Sequence, residues 1–171
     1  MMLEKRPFQP ADIPLIKEWL PTLESVVQWG GPFFDYPVTD EALLELIALH
    51  AGEEPMRECW MVIDDGDESV GHFQLAFEKR IRGATLGRVL LAPDRRARGL
   101  ARPLVDLAVA QAFARDWVHR IELRVYDFNT PAIAAYRRAG FVLEGVRREC
   151  MPMGDRFWNS AVMGLLRHER P

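Results

Sequence analysis

The segment RVLLAPDRRARGLARPL, residues 88–104, constrains the fold most, because it joins the end of an apolar strand directly to the start of a helix. Pro93 stops the strand, and Pro103 is accepted in the first helical turn, where main-chain amides have no intrahelical partner. Those unpaired N–H groups and the positive end of the helix dipole together favour an anion. Gly99 lets the backbone approach a phosphate closely, and the small Ala101 leaves room beside it. The segment therefore predicts an anion site where the strand meets the helix.

Apolar periodicity along the rest of the chain alternates between helical and extended patterns. After an opening strand in LEKRPFQPADI, helices are predicted within residues 11–20, from Thr39 or Asp40 to about residue 50, and within residues 104–117 and 129–140. Further strands are predicted within residues 59–64, 70–78, 84–92, 121–127, 141–150 and 156–166. The stretch VVQWGGPFFDYPVTD between the first two helices is predicted to be a loop. This order predicts an α/β or α+β fold on a mixed sheet, with helices on both faces.

Composition and charge exclude several classes of protein. Of the 171 residues, 49% are hydrophobic and 27% are charged, which suits one globular domain over residues 1–171. The net charge of -3 supplies no global positive field, so we expect no nucleic-acid partner. No signal-peptide core and no membrane-length apolar run is visible, so we expect a cytoplasmic protein with no membrane partner. Cys59 and Cys150 lack the spacing of a disulfide framework or a zinc site, and we expect no metal.

Two motifs in the second half of the chain resemble those of one enzyme family. The basic loop lacks the patterns of the common phosphate loops, but it reads R-x-x-G-x-A at Arg96, Gly99 and Ala101. This resembles the R/Q-x-x-G-x-G/A signature of the GNAT superfamily of N-acetyltransferases, which binds the pyrophosphate of acetyl-CoA. The family's N-x-x-A-x-x-x-Y-x-x-x-G-F segment is matched at every fixed position, namely at Asn129, Ala132, Tyr136, Gly140 and Phe141.

The resemblance extends over the whole chain and implies a fold. It implies a single GNAT-like domain built on a central mixed, mostly antiparallel sheet of six to seven strands. The chain looks most like the branch that contains ribosomal-protein N-terminal acetyltransferases, whose final hairpin often reads D-G-x-x-x-D. Here the hairpin reads GDRFWN, so the order of Gly154 and Asp155 and the final residue, Asn159, depart from that pattern.

The resemblance also implies where the co-substrate, acetyl-CoA, binds. The end of the fourth strand would offer main-chain groups to the pantetheine arm, as an added strand does, at Val89, Leu90 and Leu91. The pyrophosphate would be held at Arg96, Ala97, Arg98, Gly99, Leu100, Ala101 and Arg102. Asn129 would lie near the arm, although it is also a good helix cap. The arginines alternatively form only a solvated start to the helix.

Tyr136 is predicted to be the catalytic acid. It follows Asn129 by seven residues, or two helical turns, so both lie on one helix face, and the resemblance directs Tyr136 towards the thioester sulfur. A phenol with a pKa of about 10 stays protonated at neutral pH and can protonate a departing thiolate. A purely structural role in the core is the alternative. No base is evident, because ATLGRVLLA contains no acid, and the candidates by residue type alone are Glu78, Glu122 and His72.

The aromatic loop between the first helices is where the family usually selects its acceptor. Asp35 would receive an ammonium group, and Trp29, Phe33 and Phe34 would line the pocket, although packing explains these aromatic residues equally well. The resemblance implies an acetyl-CoA-dependent N-acetyltransferase whose acceptor is a protein N-terminus or a small-molecule amine. A non-catalytic acyl-CoA-binding module of the same fold is the alternative, and a homodimer is left open.

Overall fold

A seven-stranded sheet with helices on both faces forms the framework of the protein. The computed structural model describes residues 2–170. The strands are β1 (Glu4–Pro7), β2 (Arg57–Ile63), β3 (Ser69–Glu78), β4 (Gly83–Leu91), β5 (Arg120–Tyr126), β6 (Val142–Met153) and β7 (Arg156–Leu166). The helices are α1 (Ile13–Trp19), α2 (Leu23–Gly30), α3 (Asp40–Ala48), α4 (Ala101–Phe113) and α5 (Thr130–Arg138). Over residues 2–170, no helix is both long enough and apolar enough to cross a membrane.

The strands run in the order β1-β2-β3-β4-β5-β7-β6. Every neighbouring pair is antiparallel except β4 and β5, which are parallel because α4 crosses over between them. This confirms the predicted mixed, mostly antiparallel sheet. The parallel ladder joins only residues 83–86 to residues 120–123, and no described residue continues it. Beyond it β4 stays with β3 and β5 with β7, which leaves a gap, here called the wedge, between residues 87–91 and residues 124–126.

A β-bulge in β4 marks the point where the wedge opens. His72 of β3 lies opposite Leu90, and Gln74 lies opposite Gly87, so two steps along β3 match three steps along β4. Arg88 lies within this irregularity and has a φ of 50°, in the left-handed region that residues with a side chain seldom adopt. An extra residue of this kind bends a strand and re-aims its side chains.

Two apolar cores flank the sheet, one under α4 and α5 and the other under α1, α2 and α3. The first includes Leu86, Leu104, Val105, Ala108 and Tyr136. The second includes Ile16, Trp29, Leu43, Met61 and Leu90. Regular alternation would put Leu86 and Leu90 on the same face of β4, because they are four residues apart. They lie in opposite cores, so the bulge reverses the facing of β4 between them.

The N-terminal region holds three helices rather than the two predicted. Pro21 ends the first helical segment, as expected, but a capping box begins a new helix immediately after it. The Ser25 amide donates to the Thr22 hydroxyl at 3.1 Å, and the Thr22 amide donates to the Ser25 hydroxyl at 3.0 Å. The resulting α2 extends to Gly30 and buries Trp29. The prediction of a loop over residues 26–40 was therefore wrong for residues 26–30, because the proline separates two helices and the cap signal follows it.

Helix α4 packs very closely on β3. A Cβ atom at Gly71 would lie 2.5 Å from Leu104 Cδ1 and 2.9 Å from the carbonyl oxygen of Leu90. Only a glycine allows this approach, which lowers the start of α4 onto the sheet beside the wedge. As predicted, Pro103 lies in the first turn of the helix.

The closing hairpin of β6 and β7 is present, with its turn at Gly154 and Asp155. Pro152 lies outside the turn and is paired with Phe157 inside β6. A proline is tolerated there because β6 is the edge strand, where one face of the backbone needs no hydrogen-bond donor.

Candidate functional site

The wedge exposes strand edges in the middle of a sheet. Residues 87–91 of β4 pair with β3 on one side, and within residues 2–170 they have no strand partner on the other. Val89 and Leu91 are half-buried against the core under α4, and Leu90 is buried in the opposite core. Their side chains are committed to packing, so it is main-chain groups that face the gap. An extended ligand can add to such an edge as a strand does.

The loop after β4 presents a run of main-chain amides. Ala97 and Gly99 adopt φ values of 58° and 80°. Among the residues that the structure describes, no hydrogen bond is donated by any amide from Ala97 through Arg102. No side chain caps α4 at Leu100. The amides therefore gather at the positive end of a 13-residue helix, which is the arrangement that binds phosphates.

Two arginine side chains of this loop form ion pairs within the chain. Arg95 pairs with Glu68 and lies 3.6 Å from Asp64, both at the turn between β2 and β3. The Arg102 Nε donates to both carboxylate oxygens of Asp106 at 2.7 Å. The charges of these two arginines are thus offset within the chain, so they are less available to an anion than the free main-chain amides are.

Asn129 caps α5, as one of its predicted roles requires. Its Oδ1 accepts a hydrogen bond from the Ala132 amide at 3.3 Å. Its own main-chain amide donates to the carbonyl oxygen of Tyr126 at 2.9 Å. Tyr126 belongs to the β5 wall of the wedge, so the cap fixes the start of α5 next to that wall. The predicted contact of Asn129 with the cofactor stays a prediction.

Tyr136 lies on the face of α5 that is turned towards the core. It is 7% exposed, and its ring meets Phe141 edge to face at a centroid distance of 5.9 Å. Burial raises the pKa of the phenol well above its usual range, so the group is protonated throughout the physiological range. The packing role is therefore observed, and it is compatible with a role as a proton donor.

Two of the four residues predicted to line an acceptor pocket come together. Trp29 is 5% exposed on α2, and its ring packs against half-buried Phe34 at a centroid distance of 4.9 Å. A Cβ atom on Gly30 would lie 2.4 Å from the Phe34 ring, so the glycine makes room for this contact. Phe33 is 77% exposed and Asp35 is also exposed. The predicted ammonium site at Asp35 is therefore not assembled with the aromatic pair.

Arg88 is the residue of this region that sequence reasoning missed. The bulge directs its side chain to the α2 side of the sheet, where its Cζ lies 5.0 Å from the Phe34 ring centroid and 5.9 Å from that of Trp29. Its Nη1 donates to Gln74 Oε1 at 2.7 Å. One signal was present in the sequence: Arg88 is the single charged residue within the apolar run TLGRVLL.

His72 lies beside this group but is not exposed. Its Nε2 is 3.4 Å from Gln74 Nε2, and its side chain is fully buried. Burial lowers its pKa to about 3, and the charge of Arg88 acts in the same direction, whereas Asp12 opposes the shift. His72 is therefore neutral at physiological pH, and a soluble amine does not reach it.

The two carboxylates considered as bases lie at the other end of β4. Glu78 pairs with Gly83, and Glu122 pairs with Thr85. With a rise of about 3.3 Å per residue, roughly 10 Å of strand separates even the nearer pair from Arg88. Within residues 2–170, no cluster of His, Cys, Asp and Glu has the arrangement needed to hold a metal ion.

A sequence model of one protein family matches the part of the chain that builds the wedge and the loop with free amides at residues 97–102, here called the amide loop. The family is described as "Acetyltransferase (GNAT) family", and the match covers residues 23–141. It includes β4, the amides before α4, Asn129 and Tyr136. This chain belongs to the GNAT acetyltransferase family.

This GNAT protein is similar to a spermidine N(1)-acetyltransferase of Vibrio cholerae serotype O1. The two sequences are 30% identical over 111 residues, which is 64% of this chain and 62% of the relative. The aligned part thus spans somewhat less than two thirds of the relative's length.

Solved structures of spermidine N-acetyltransferases from Vibrio cholerae share the fold. One, in complex with CoA and spermine, superposes with a TM-score of 0.83 at 24% identity, covering 98% of this chain and 97% of the other. A chimeric form gives a TM-score of 0.82 at 23% identity, and the superposition covers 99% of this chain and 98% of the chimera. The likeness confirms the predicted GNAT-like α/β fold.

The predicted branch within the family is corrected by these comparisons. The relatives named here are spermidine acetyltransferases, and not members of the ribosomal-protein N-terminal acetyltransferase branch that the chain was predicted to resemble most. Asn159, which departs from the hairpin pattern of that branch, has a structural role here. Asn159 donates to Asp127 at 2.9 Å and accepts from the Glu149 amide at 2.8 Å, so it joins β6 and β7 to the end of β5.

Proposed function

We propose that this GNAT protein transfers the acetyl group of acetyl-CoA to the primary amine of a small molecule. The observation that carries the proposal is the continuity of the wedge with the amide loop. The unpaired edge of β4 ends at Leu91, and the run of amides begins six residues later at Ala97. Acetyl-CoA has an extended amide-bearing arm that ends in a pyrophosphate, so its two parts match the edge and the loop in order.

Each predicted cofactor contact has a distinct role in this proposal. The main chain of Val89, Leu90 and Leu91 hydrogen-bonds the pantetheine arm, and the amides of Ala97 through Arg102 hold the pyrophosphate. Asn129 uses its side-chain oxygen in the α5 cap, which leaves its NH₂ group to donate to the arm. The solved relative in complex with CoA and spermine supports a CoA ester as the co-substrate.

The chemistry requires attack, proton loss and departure of the thiolate. The neutral amine attacks the thioester carbonyl carbon, the C–S bond breaks, and the sulfur takes up a proton. We assign Tyr136 as the donor to that sulfur. Because burial raises the pKa of its phenol, Tyr136 is a weak acid that acts chiefly by donating a hydrogen bond as charge develops on sulfur.

The ammonium proton of the acceptor leaves through water in this proposal. Glu78 and Glu122 lie at the far end of β4, and His72 is fully buried. None of the three touches the open end of the wedge, so none is assigned as a direct base.

The acceptor is proposed to be a small-molecule amine, and spermidine, which the relatives' names specify, is the first to assay. Trp29 and Phe34 pack together and against Arg88, which favours a compact acceptor over a peptide. A protein N-terminus is the second candidate that follows from the sequence.

The proposal is tested by measuring release of free CoA from acetyl-CoA with a panel of amines and short peptides. We expect wild-type turnover with at least one amine. Tyr136→Phe should lower kcat by roughly 10²-fold, the lower end of the contribution of a positioned acid, while the calorimetric affinity for CoA stays unchanged.

Two results would change these assignments. A wild-type protein that binds CoA but acetylates no amine or peptide would instead be an acyl-CoA-binding module. Unchanged turnover by the Tyr136→Phe variant would remove Tyr136 as the donor to sulfur.

Three broader expectations belong to the same proposal. Residues 1–171 act as one domain, because both cores pack on the same sheet. The cytoplasm is the expected compartment, which suits the free thiols of Cys59 and Cys150. Assembly as a homodimer is a prediction that light scattering tests.

A further inference from the structure

Arg88 differs from the other partly buried arginines of the protein. Most of those others pair with carboxylates, as Arg6 does with Asp12 at 2.7 Å, Arg95 with Asp64 at 3.6 Å and Arg115 with Glu58 at 2.7 Å. Arg167 instead donates to the main-chain carbonyl oxygens of Phe113, Arg115 and Val118. Arg88 forms no ion pair with a carboxylate among residues 2–170. Burial lowers its pKa most, Cys59 opposes that shift, and the charge of Arg57 lowers the pKa further. A guanidinium remains charged even so. The half-buried charge of Arg88 is therefore not neutralised from within the described chain.

Neutral groups hold the guanidinium in place. Gln74 accepts a hydrogen bond from Nη1 at 2.7 Å, and the rings of Trp29 and Phe34 lie nearby as cation–π partners. The Nε atom is buried without a partner, and no described residue accepts a hydrogen bond from Nη2. The side chain is thus oriented with donor capacity left over.

The position of Arg88 relates it to the reacting end of the co-substrate. The pyrophosphate site follows the end of β4, so a pantetheine arm that runs back along residues 91 to 89 brings its thioester towards the bulge. The main chain of Arg88 borders the wedge there, while its side chain lies on the α2 side, between Gln74 and the pair of Trp29 and Phe34. An acceptor that approaches from the α2 side meets this guanidinium.

We propose that Arg88 binds a carboxylate on the acceptor, so that the enzyme selects amines that also carry an acid. The inference rests on the proposed acetyl transfer and specifies its substrate class. A carboxylate forms charge-assisted hydrogen bonds with a guanidinium, and these are strongest where water is partly excluded. A polyamine brings only like charge to the same place, so it is the poorer acceptor.

Matched pairs of amines that differ by one carboxylate test this role. Steady-state kinetics with acetyl-CoA compare L-ornithine with putrescine, L-lysine with cadaverine and L-phenylalanine with phenethylamine, and spermidine is included. In the wild type, kcat/KM should favour an acid-bearing member by about tenfold or more. Arg88→Gln should bring this ratio close to one, mainly by raising KM for the amino acid, and Arg88→Lys should retain part of it.

The control variant is Arg80→Gln, because Arg80 is exposed in the turn between β3 and β4 at the other end of the strand. It should leave the ratio unchanged, and calorimetry with CoA should give the same affinity for all three variants and wild type.

Other outcomes would overturn the role of Arg88. If Arg88→Gln lowered kcat/KM equally for both amines of a pair, the role of Arg88 would instead be oxyanion stabilisation or packing. A preference for spermidine, or a ratio that survives in Arg88→Gln, would reject carboxylate selection while leaving acetyl transfer intact. If none of the amines tested supported release of CoA by the wild type, the proposed function would fail, and carboxylate selection would fail with it.

Discussion

Arg88 and His72 lie on the same side of the sheet, and burial affects their charges differently. Burial disfavours the charged form of both side chains. Arginine starts from so high a pKa that it stays charged, whereas histidine becomes neutral. Gln74 contacts both, donating from its amide towards His72 and accepting from Arg88. The region beside Trp29 therefore holds one positive charge rather than two.

The neutral state of His72 predicts how stability depends on pH. Between its ordinary pKa of 6.5 and its native pKa of about 3, the unfolded chain binds a proton that the native chain does not. Stability is therefore lost as the pH falls through this window, by up to about 1.4 kcal/mol per pH unit for one proton. Urea unfolding of wild type and His72→Leu at pH 7, 6 and 5 should show a weaker pH dependence in the variant.

An exposed histidine supplies the control for this measurement. His119→Leu should keep the wild-type pH dependence, because His119 is exposed in the native protein. Identical slopes for His72→Leu and wild type would show that His72 is not held neutral by folding.

The amide loop depends on one residue with a left-handed backbone. A Cβ at Gly99 would meet nothing within 4 Å, so it is the φ of 80°, and not space, that calls for glycine. Gly99→Val should therefore redirect the amides and weaken CoA binding by roughly tenfold, in line with a backbone strain of about 1–3 kcal/mol. Arg95→Ala should weaken it less, because the charge of Arg95 is offset by Asp64 and Glu68.

Titration calorimetry with CoA compares these two variants with a matched control. Gly52 also has a left-handed φ, of 91°, and open space around it, but it lies in the loop after α3. Gly52→Val should leave CoA affinity unchanged. A larger loss for Arg95→Ala than for Gly99→Val would mean that side-chain charge, rather than the main chain, holds the pyrophosphate.

At the scale of elements, the position of α4 depends on its contact with β3. Gly71→Ala would force a Cβ to within 3 Å of Leu104 and of the main chain at Leu90. We expect a loss of about 1–3 kcal/mol in the free energy of unfolding, as overpacking usually causes. Because the same helix carries the amides at its start, CoA affinity should also fall.

Gly145→Ala is the control for overpacking, because Gly145 is exposed on β6 and a Cβ there would meet nothing within 4 Å. Urea unfolding should find this variant close to wild type. Equal stability of Gly71→Ala and wild type would show that α4 moves away from β3 at little cost.

The elements also show what local sequence patterns can predict. Helix α4 and strand β5 were predicted from periodicity, since alternating burial of Ile121, Leu123 and Val125 is a local property of one strand. The bulge at Arg88 was not, because it is defined by the register of β4 against the neighbouring strand β3, which the residue pattern of β4 alone does not specify. Helix α2 was missed although its capping box is local, because the glycines and prolines that follow it indicated a loop.

At the scale of the whole molecule, the sequence motifs predicted the amide loop and the Asn129 cap better than the arrangement of side chains around Trp29 and Phe34. The amide loop and the Asn129 cap follow from short-range chemistry, so they could be predicted with their residues. The arrangement of Arg88, Gln74 and Trp29 requires β4, β3 and α2 to meet, and no short-range pattern specifies that meeting. Asp35 was a reasonable choice by charge, but it remains exposed and apart.

The short length of the wedge has a consequence for pairing between this sheet and strands of other polypeptides. Interior strands that separate leave two unsatisfied borders, and such borders ordinarily invite a strand from another polypeptide. Here the two borders span only residues 87–91 of β4 and residues 124–126 of β5, and they meet where the parallel ladder ends. A strand from a second polypeptide therefore finds only a few residues with which to pair. The short length of these two borders thus limits strand pairing at this place in the sheet.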